Sequence, residues 1–286
     1  MKTLLISLLL AGAISSSLAV TSINLTNNFT FGANVGWMDW RGNTTSGAII
    51  GEYFCSGYIY AANLGWIRLG TGAPTNGVQY QNLAATDYGV NLDGLGNLRG
   101  YAYGANIGWI NFETIGDPKV DLATGNLSGY AYSANCGWIS LSNEFVFVQT
   151  DTIPGGPDSD ADGMADAWER LNFGNLSAMG GADADGDGAS NGQEYLAGTN
   201  PNSAMDVLRI TGCAFAPGGT NSTVQWNSVP SRNYRLLKSN SATAVSWPDS
   251  GLGLIPPGGS VTSVTFTDTN WPVRFYRVQA IRPLAP

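Results

Sequence analysis

This sequence predicts a mainly β chain in three successive segments, and three observations lead there. A motif built on Ala-Asn-x-Gly-Trp returns four times between Phe31 and Leu141. Short runs alternating apolar and polar residues lie between turn-forming pairs, both there and again after Ala204, and a period of two is what half-buried strands require. The stretch between them, 151–205, is acidic and lacks the alternation, so helix is confined to a few turns. The expected organisation is a leader over 1–19, a four-unit β-hairpin or meander repeat domain over 20–150, a short loop-and-helix spacer over 151–205, and a C-terminal β-sandwich over 206–286.

The leader reads MKTLLISLLLAGAISSSLA. One Lys precedes an apolar run from Leu4 to Ile14, and Ser17 and Ala19 occupy the positions a signal peptidase reads, so cleavage is expected after Ala19. The run is shorter than the roughly 20 residues of a membrane-spanning helix, and no later segment competes. The expectation is export: secreted, extracellular or at the cell surface, with the periplasm also open.

The repeats are FGANVGWMDW from Phe31, YAANLGWIRL from Tyr60, YGANIGWINF from Tyr103 and YSANCGWISL from Tyr132. Ala-Asn-x-Gly supplies residues that tolerate positive φ, so each unit is a hairpin with its turn before the Trp. The longer connection from Gly70 to Asn97 separates two pairs of units. Closure into a barrel, stacking as a solenoid and packing as a sandwich all stay open. Strand alternation puts each Trp on one face with Asp39, Arg68, Asn111 or Ser140, and puts the following Ile or Met on the other. The tyrosines of GYAY share a face in the same way. Identical spacing in every unit favours burial of these aromatics between neighbouring units. The alternative is a sugar-stacking surface carried by Tyr101, Tyr103, Trp109, Tyr130, Tyr132 and Trp138.

After Ala204, the runs STVQW, NYRLL, SVTSVTF and VRFYRVQAI read as strands between Pro-Gly, Ser-Arg-Asn and Asp-Thr-Asn turns. A segment of this length and pattern suits an immunoglobulin- or fibronectin-like sandwich, with Trp226 and Tyr234 as core aromatics.

The chain has three cysteines, too few for a disulfide-stapled scaffold. Cys136 stands where the other units carry Val35, Leu64 and Ile107, and Cys55 aligns with Leu98 and Leu127, so both read as core residues. A Cys55–Cys136 bridge stays open as the alternative. Histidine is absent, which removes Ser-His-Asp and Cys-His nucleophile systems and His-ligated metals. Carboxylate chemistry on a glycan is the enzymatic option left, and the acids near the repeats are Asp39, Glu52, Asp87, Asp93, Glu113, Asp117, Asp121 and Glu144. The net charge of −8 is local: residues 151–206 hold eleven acids and only Arg170 as a base. Concentrated acid suggests a cation site, and no basic stripe invites nucleic acid.

Two segments carry that acid at a defined spacing. Asp158-Ser-Asp160-Ala-Asp162-Gly163 runs to Glu169, and Asp183-Ala-Asp185-Gly-Asp187-Gly188 runs to Glu194. Both fit D-x-[DN]-x-[DN]-G-x5-E, whose positions one, three, five, seven (a backbone carbonyl), nine and twelve surround a hard cation. The ligands are thus Asp158, Asp160, Asp162, the carbonyl of Met164, Asp166 and Glu169 in the first loop. In the second they are Asp183, Asp185, Asp187, the carbonyl of Ala189, Asn191 and Glu194. An all-oxygen set on flexible loops suits Ca2+, two ions in total. Pro154-Gly-Gly-Pro157 and Met179-Gly-Gly exclude an entering helix, so only exiting helices are expected, Asp166 to Phe173 and Asn191 to Ala197. Ala165 and Ser190 stand where paired EF-hands need a β-branched aliphatic. Without two helices to open, the loops should order the segment and not switch it.

The string DSDADGMADAWERLNFGN…DADGDGASNGQEYLAGTNP, residues 158–201, resembles the thrombospondin type 3-like calcium repeats of exported bacterial proteins. The resemblance implies a calcium-organised spacer in an extracellular or surface protein, with the loop acids above as ligands and nothing catalytic. The sequence therefore predicts a secreted or cell-surface structural or adhesion protein, non-enzymatic, braced by calcium, with a cell-surface or matrix protein as partner. An extracellular carbohydrate-binding protein using the repeat aromatics is the alternative, followed by a polysaccharide-active enzyme.

Overall fold

A computed structural model describes residues 21–42, 45–216, 220–268 and 274–286. The expected leader, 1–19, lies outside the described residues. The protein is mainly β, and its central feature is an eight-stranded barrel.

Four hairpins build it. They pair Ile23–Gly32 with Gly36–Asp39, Tyr58–Ala61 with Gly65–Arg68, Leu98–Gly104 with Gly108–Asn111, and Tyr130–Ser133 with Gly137–Ser140. Neighbouring hairpins meet in one repeated register: Asp39 opposite Tyr60, Arg68 opposite Tyr103, Asn111 opposite Tyr132. The fourth hairpin returns to the first with Ser140 opposite Phe31, which closes the sheet.

The turns explain the Ala-Asn-x-Gly signature. Gly36, Gly65, Gly108 and Gly137 sit at φ between +75° and +79°, a region costly for any residue with a Cβ. The residues before them, Val35, Leu64, Ile107 and Cys136, turn inward and plug that end of the barrel, Leu64 less deeply than the rest. Each Asn amide reaches the carbonyl of the plug residue in the adjacent turn. Asn63 donates to Val35 at 3.1 Å, Asn106 to Leu64 at 3.0 Å and Asn135 to Ile107 at 2.9 Å. Asn34 completes the circuit by donating to Cys136 at 3.0 Å.

Inside, Met38, Ile59, Ile67, Ile110 and Ile139 form one layer, with Trp40, Leu69, Phe112 and Leu141 beyond them, all buried. The space left among them is about 10 Å³, at the lower limit for a single water. The barrel is a packed core, as eight strands allow, and not a ligand-carrying lumen. Cys55 and Cys136 are both free and buried in this core.

The aromatic face corrects one expectation. Trp37, Trp66, Trp109 and Trp138 are not buried between units; they stand on the outer wall, 45–53% exposed. A closed barrel turns one face of every strand to its interior, so the other face has no neighbouring unit to meet. Each Trp packs against rings close by, as Trp66 does against Tyr58 and Tyr60.

The C-terminal residues form a three-stranded sheet of Ile210–Phe215, Asn221–Asn227 and Val261–Thr267, and a two-stranded sheet of Asn233–Ser239 with Phe275–Ile281. Trp226 and Tyr234 are fully buried between them with Val224 and Leu236. Five strands among the described residues are fewer than the seven of an immunoglobulin constant-type module.

The start of the expected spacer is part of the packed structure. Ile153 is buried in the barrel core and donates its amide to the carbonyl of Leu284 at 2.8 Å, while Glu52 donates its own to Pro154 at 2.9 Å. The C-terminal module is thereby brought back against the repeat domain.

Candidate metal centre

Two short helices define the acidic segment, α1 (Asp166–Phe173) and α2 (Asn191–Ala197), each ended by a glycine, Gly174 or Gly198, in the left-handed region. Each follows one of the two loops, and no helix enters either loop. Gly163 and Gly188, the sixth residues, have φ of +95° and +96°, the reversal the loops need. Ser190 caps α2 with a reciprocal capping box to Gln193, which fixes where the second loop ends.

In each loop the first three acids converge. Carboxylate oxygens of Asp158, Asp160 and Asp162 lie within 4.8 Å of one another, as do those of Asp183, Asp185 and Asp187. Backbone amides hold several of them in place. Asp158 Oδ2 accepts from Gly163 at 3.1 Å and Asp183 Oδ2 from Gly188 at 2.9 Å. Asp162 Oδ1 accepts from Met164 at 2.9 Å and Asp187 Oδ1 from Ala189 at 2.7 Å.

The two glutamates at position twelve, one turn into each helix, supply the decisive observation. Glu169 is fully buried, and neither of its carboxylate oxygens has a hydrogen-bond partner. Glu194 is buried with Oε2 unpartnered; Asp185 Oδ2 and Asp187 Oδ2 are likewise unpartnered. Burial and then the nearby aspartates push both glutamates up to about 7. Buried, unsatisfied acceptors beside like charges are expensive, and a cation with all-oxygen coordination removes both costs. The residues present therefore fit a divalent cation.

Position nine is held by the loop itself. Asp166 accepts from the amide and hydroxyl of Ser159, both at 2.7 Å, and Asn191 Oδ1 accepts from the amide of Ala184 at 3.2 Å. Burial alone would raise the Asp166 carboxyl, but the Ser159 bonds and the charge of Arg170 hold it below its ordinary value. In both loops this side chain braces position two, apart from the three converging acids. Met164 is buried against Trp168 and Tyr195, and Ala189 is half-buried.

The loops are also tied to each other and to both β modules. The amide of Gly180 donates to Asp162 Oδ2 at 2.6 Å, and the carbonyl of Gly180 accepts from Gly192 at 2.9 Å. At the far end of α2, Arg232 of the C-terminal module donates to the carbonyls of Leu196 at 2.9 Å and Tyr195 at 3.0 Å. The same guanidinium pairs with Glu52 of the repeat domain at 3.2 Å. Arg282 pairs with Glu52 at 2.8 Å and lies over the ring of Tyr195 at 4.9 Å. Sequence reasoning missed this junction, because nothing local links residue 52 to 232 or 282.

Four of the other acids have internal partners. Asp39 accepts from Asn28 and the amide of Arg41, Asp93 from Asn97, Asp121 from the amides of Ala123 and Thr124, and Asp117 pairs with Lys119.

Residues 183–204, which hold the second loop and α2, match the family model of the bacterial TSP3 repeat, a calcium-binding family. No curated protein and no solved structure matches the chain. No helix among the described residues is long and apolar enough to cross a membrane.

Proposed function

We propose that the chain is a secreted or cell-surface calcium-binding structural or adhesion protein without enzymatic activity, in which two Ca2+ ions lock the junction of two β modules. The observation that carries this reading is Glu169, buried with both oxygens unpartnered beside three converging aspartates. Asp158, Asp160, Asp162 and Glu169 would hold one ion, and Asp183, Asp185, Asp187 and Glu194 the other, with the carbonyls of Met164 and Ala189 adding oxygens. Calcium supplies positive charge and oxygen coordination there, and that order is passed on through α2. Its last carbonyls are gripped by Arg232, and Arg232 holds Glu52. The family match over residues 183–204 supports the same reading. Calorimetric titration of the chelator-treated chain with Ca2+ tests it: two binding events are expected, and none would remove the proposal.

A second reading, extracellular carbohydrate binding, is favoured by one observation. The four repeat tryptophans are half-exposed on the barrel wall, each held by flanking rings. Amphipathic aromatic surfaces of this kind are suited to the apolar face of a sugar ring.

A further inference from the structure

The long connection between the second and third hairpins folds back over the barrel wall beside Trp109. Its anchor is Tyr80, whose buried ring sits 5.5 Å from that of Phe54 and fills the space where a Cβ on Gly70 or Gly89 would stand. Buried Asp87 tightens the loop by accepting from the amide of Thr75 at 3.3 Å, its hydroxyl at 2.9 Å, and the amide of Gln81 at 3.3 Å. Asn82 turns the chain at φ +57° and accepts from the amide of Gly89 at 3.0 Å.

The outcome is unique to the third hairpin among the four. Tyr88 is delivered from the loop and stands perpendicular to Trp109, with ring centroids 4.8 Å apart. Tyr103 and Tyr101 flank Trp109 at 5.0 and 6.2 Å. A cleft of about 430 Å³ results, lined by Trp109, Tyr101 and Tyr88 together with Asn82, Leu83 and Ala84 of the loop. Among the described residues, Trp37, Trp66 and Trp138 have two ring partners each and no counterpart of Tyr88.

We propose that this cleft binds a neutral glycan of equatorial pyranoses, with one sugar ring stacked on Trp109 and held against the loop wall. The proposal rests on the second reading above and gives it a single site. Three features select this ligand class. Trp109 is 47% exposed yet fixed by three ring contacts, so little ordering remains to oppose binding. The cleft combines an aromatic surface with two tyrosines and the short loop of residues 82–85. That mixture complements a pyranose whose axial C–H bonds form an apolar face and whose hydroxyls point outward. No ionisable side chain other than tyrosine lines it, which suits a neutral glycan and not a phosphate-bearing ligand.

The test uses the full, calcium-loaded chain and calorimetric titration with cellohexaose, chitohexaose and xylohexaose. Saturable binding of at least one is expected. Trp109→Ala should weaken it by at least about tenfold, whereas Trp138→Ala, at a ring with no counterpart of Tyr88, should change it less than about twofold. Leu83→Ala removes only an 89% exposed tip, so a loss of about threefold there isolates the wall from any folding effect. Equal losses in Trp109→Ala and Trp138→Ala, or unchanged affinity in Leu83→Ala, would overturn the cleft and leave glycan binding standing. No binding of the three hexaoses, together with silence on a broad glycan array, would overturn both.

Discussion

Arg232 lies 3.2 Å from Glu52 while its other donors close the C-terminal end of α2. One side chain of the C-terminal module thus touches the acidic segment and the repeat domain together. Both partners are largely buried, so loss of one leaves polar groups without partners.

Arg232→Ala is expected to destabilise the protein by about 3 kcal/mol. The cost includes the carbonyls of Tyr195 and Leu196 as well as Glu52. Arg282→Ala should cost less, because Arg232 still holds Glu52 in that variant. Urea unfolding of the two variants side by side checks the order.

Calcium removal should expose the acidic segment first. With EGTA, protease cuts are expected between residues 151 and 206, with the two β modules recovered whole. Asp158→Ala with Asp160→Ala should reproduce the cuts in the presence of calcium, and mass analysis of the fragments locates them.

The metal-free protein should lose stability as pH rises. Glu169 and Glu194 titrate near 7 in the folded chain, above the ordinary value of 4.5. The fold therefore binds their protons more tightly than the unfolded chain does, and that stability is full below about 4.5 and lost through about 7. Calcium needs the deprotonated form, so the gap in melting temperature between calcium and EGTA should widen from pH 5 to pH 8. A constant gap would contradict the assignment of these two carboxylates.

Adjacent residues on one strand should respond to very different extents. Ile67 is fully buried in the barrel and Trp66 is 45% exposed. Ile67→Ala should cost about 2–5 kcal/mol, and the bulkier deletion Trp66→Ala about 1 kcal/mol or less. Thermal unfolding of both variants tests which face of the sheet is the core.

Much of this was legible in the residues. The glycine at position six and the glycine after each helix set both loops and both helices, because those signals are local. Alternation also placed Ile67 and Trp66 on opposite faces. It did not say what the Trp face meets, because neighbouring hairpins join through the same two-residue register whether the array stays open or closes. The pairing of Ser140 with Phe31 and the approach of Asn34 to Cys136, 102 residues apart, settle that. The Glu52–Arg232 junction was unreadable for the same reason, since its partners share no motif and no sequence neighbourhood.

The circuit of asparagine amides has a further consequence for how such a protein diversifies. In an open array a unit is added at either end without disturbing the others. Here Asn34 already occupies the carbonyl that a turn appended after the fourth would use, so no unit joins at an end without opening the ring, and each unit owns one quadrant around a single axis. Variation is displaced to the connections at the opposite rim, where an insertion reshapes one quadrant and leaves three as they were. The loop between the second and third hairpins is one such insertion.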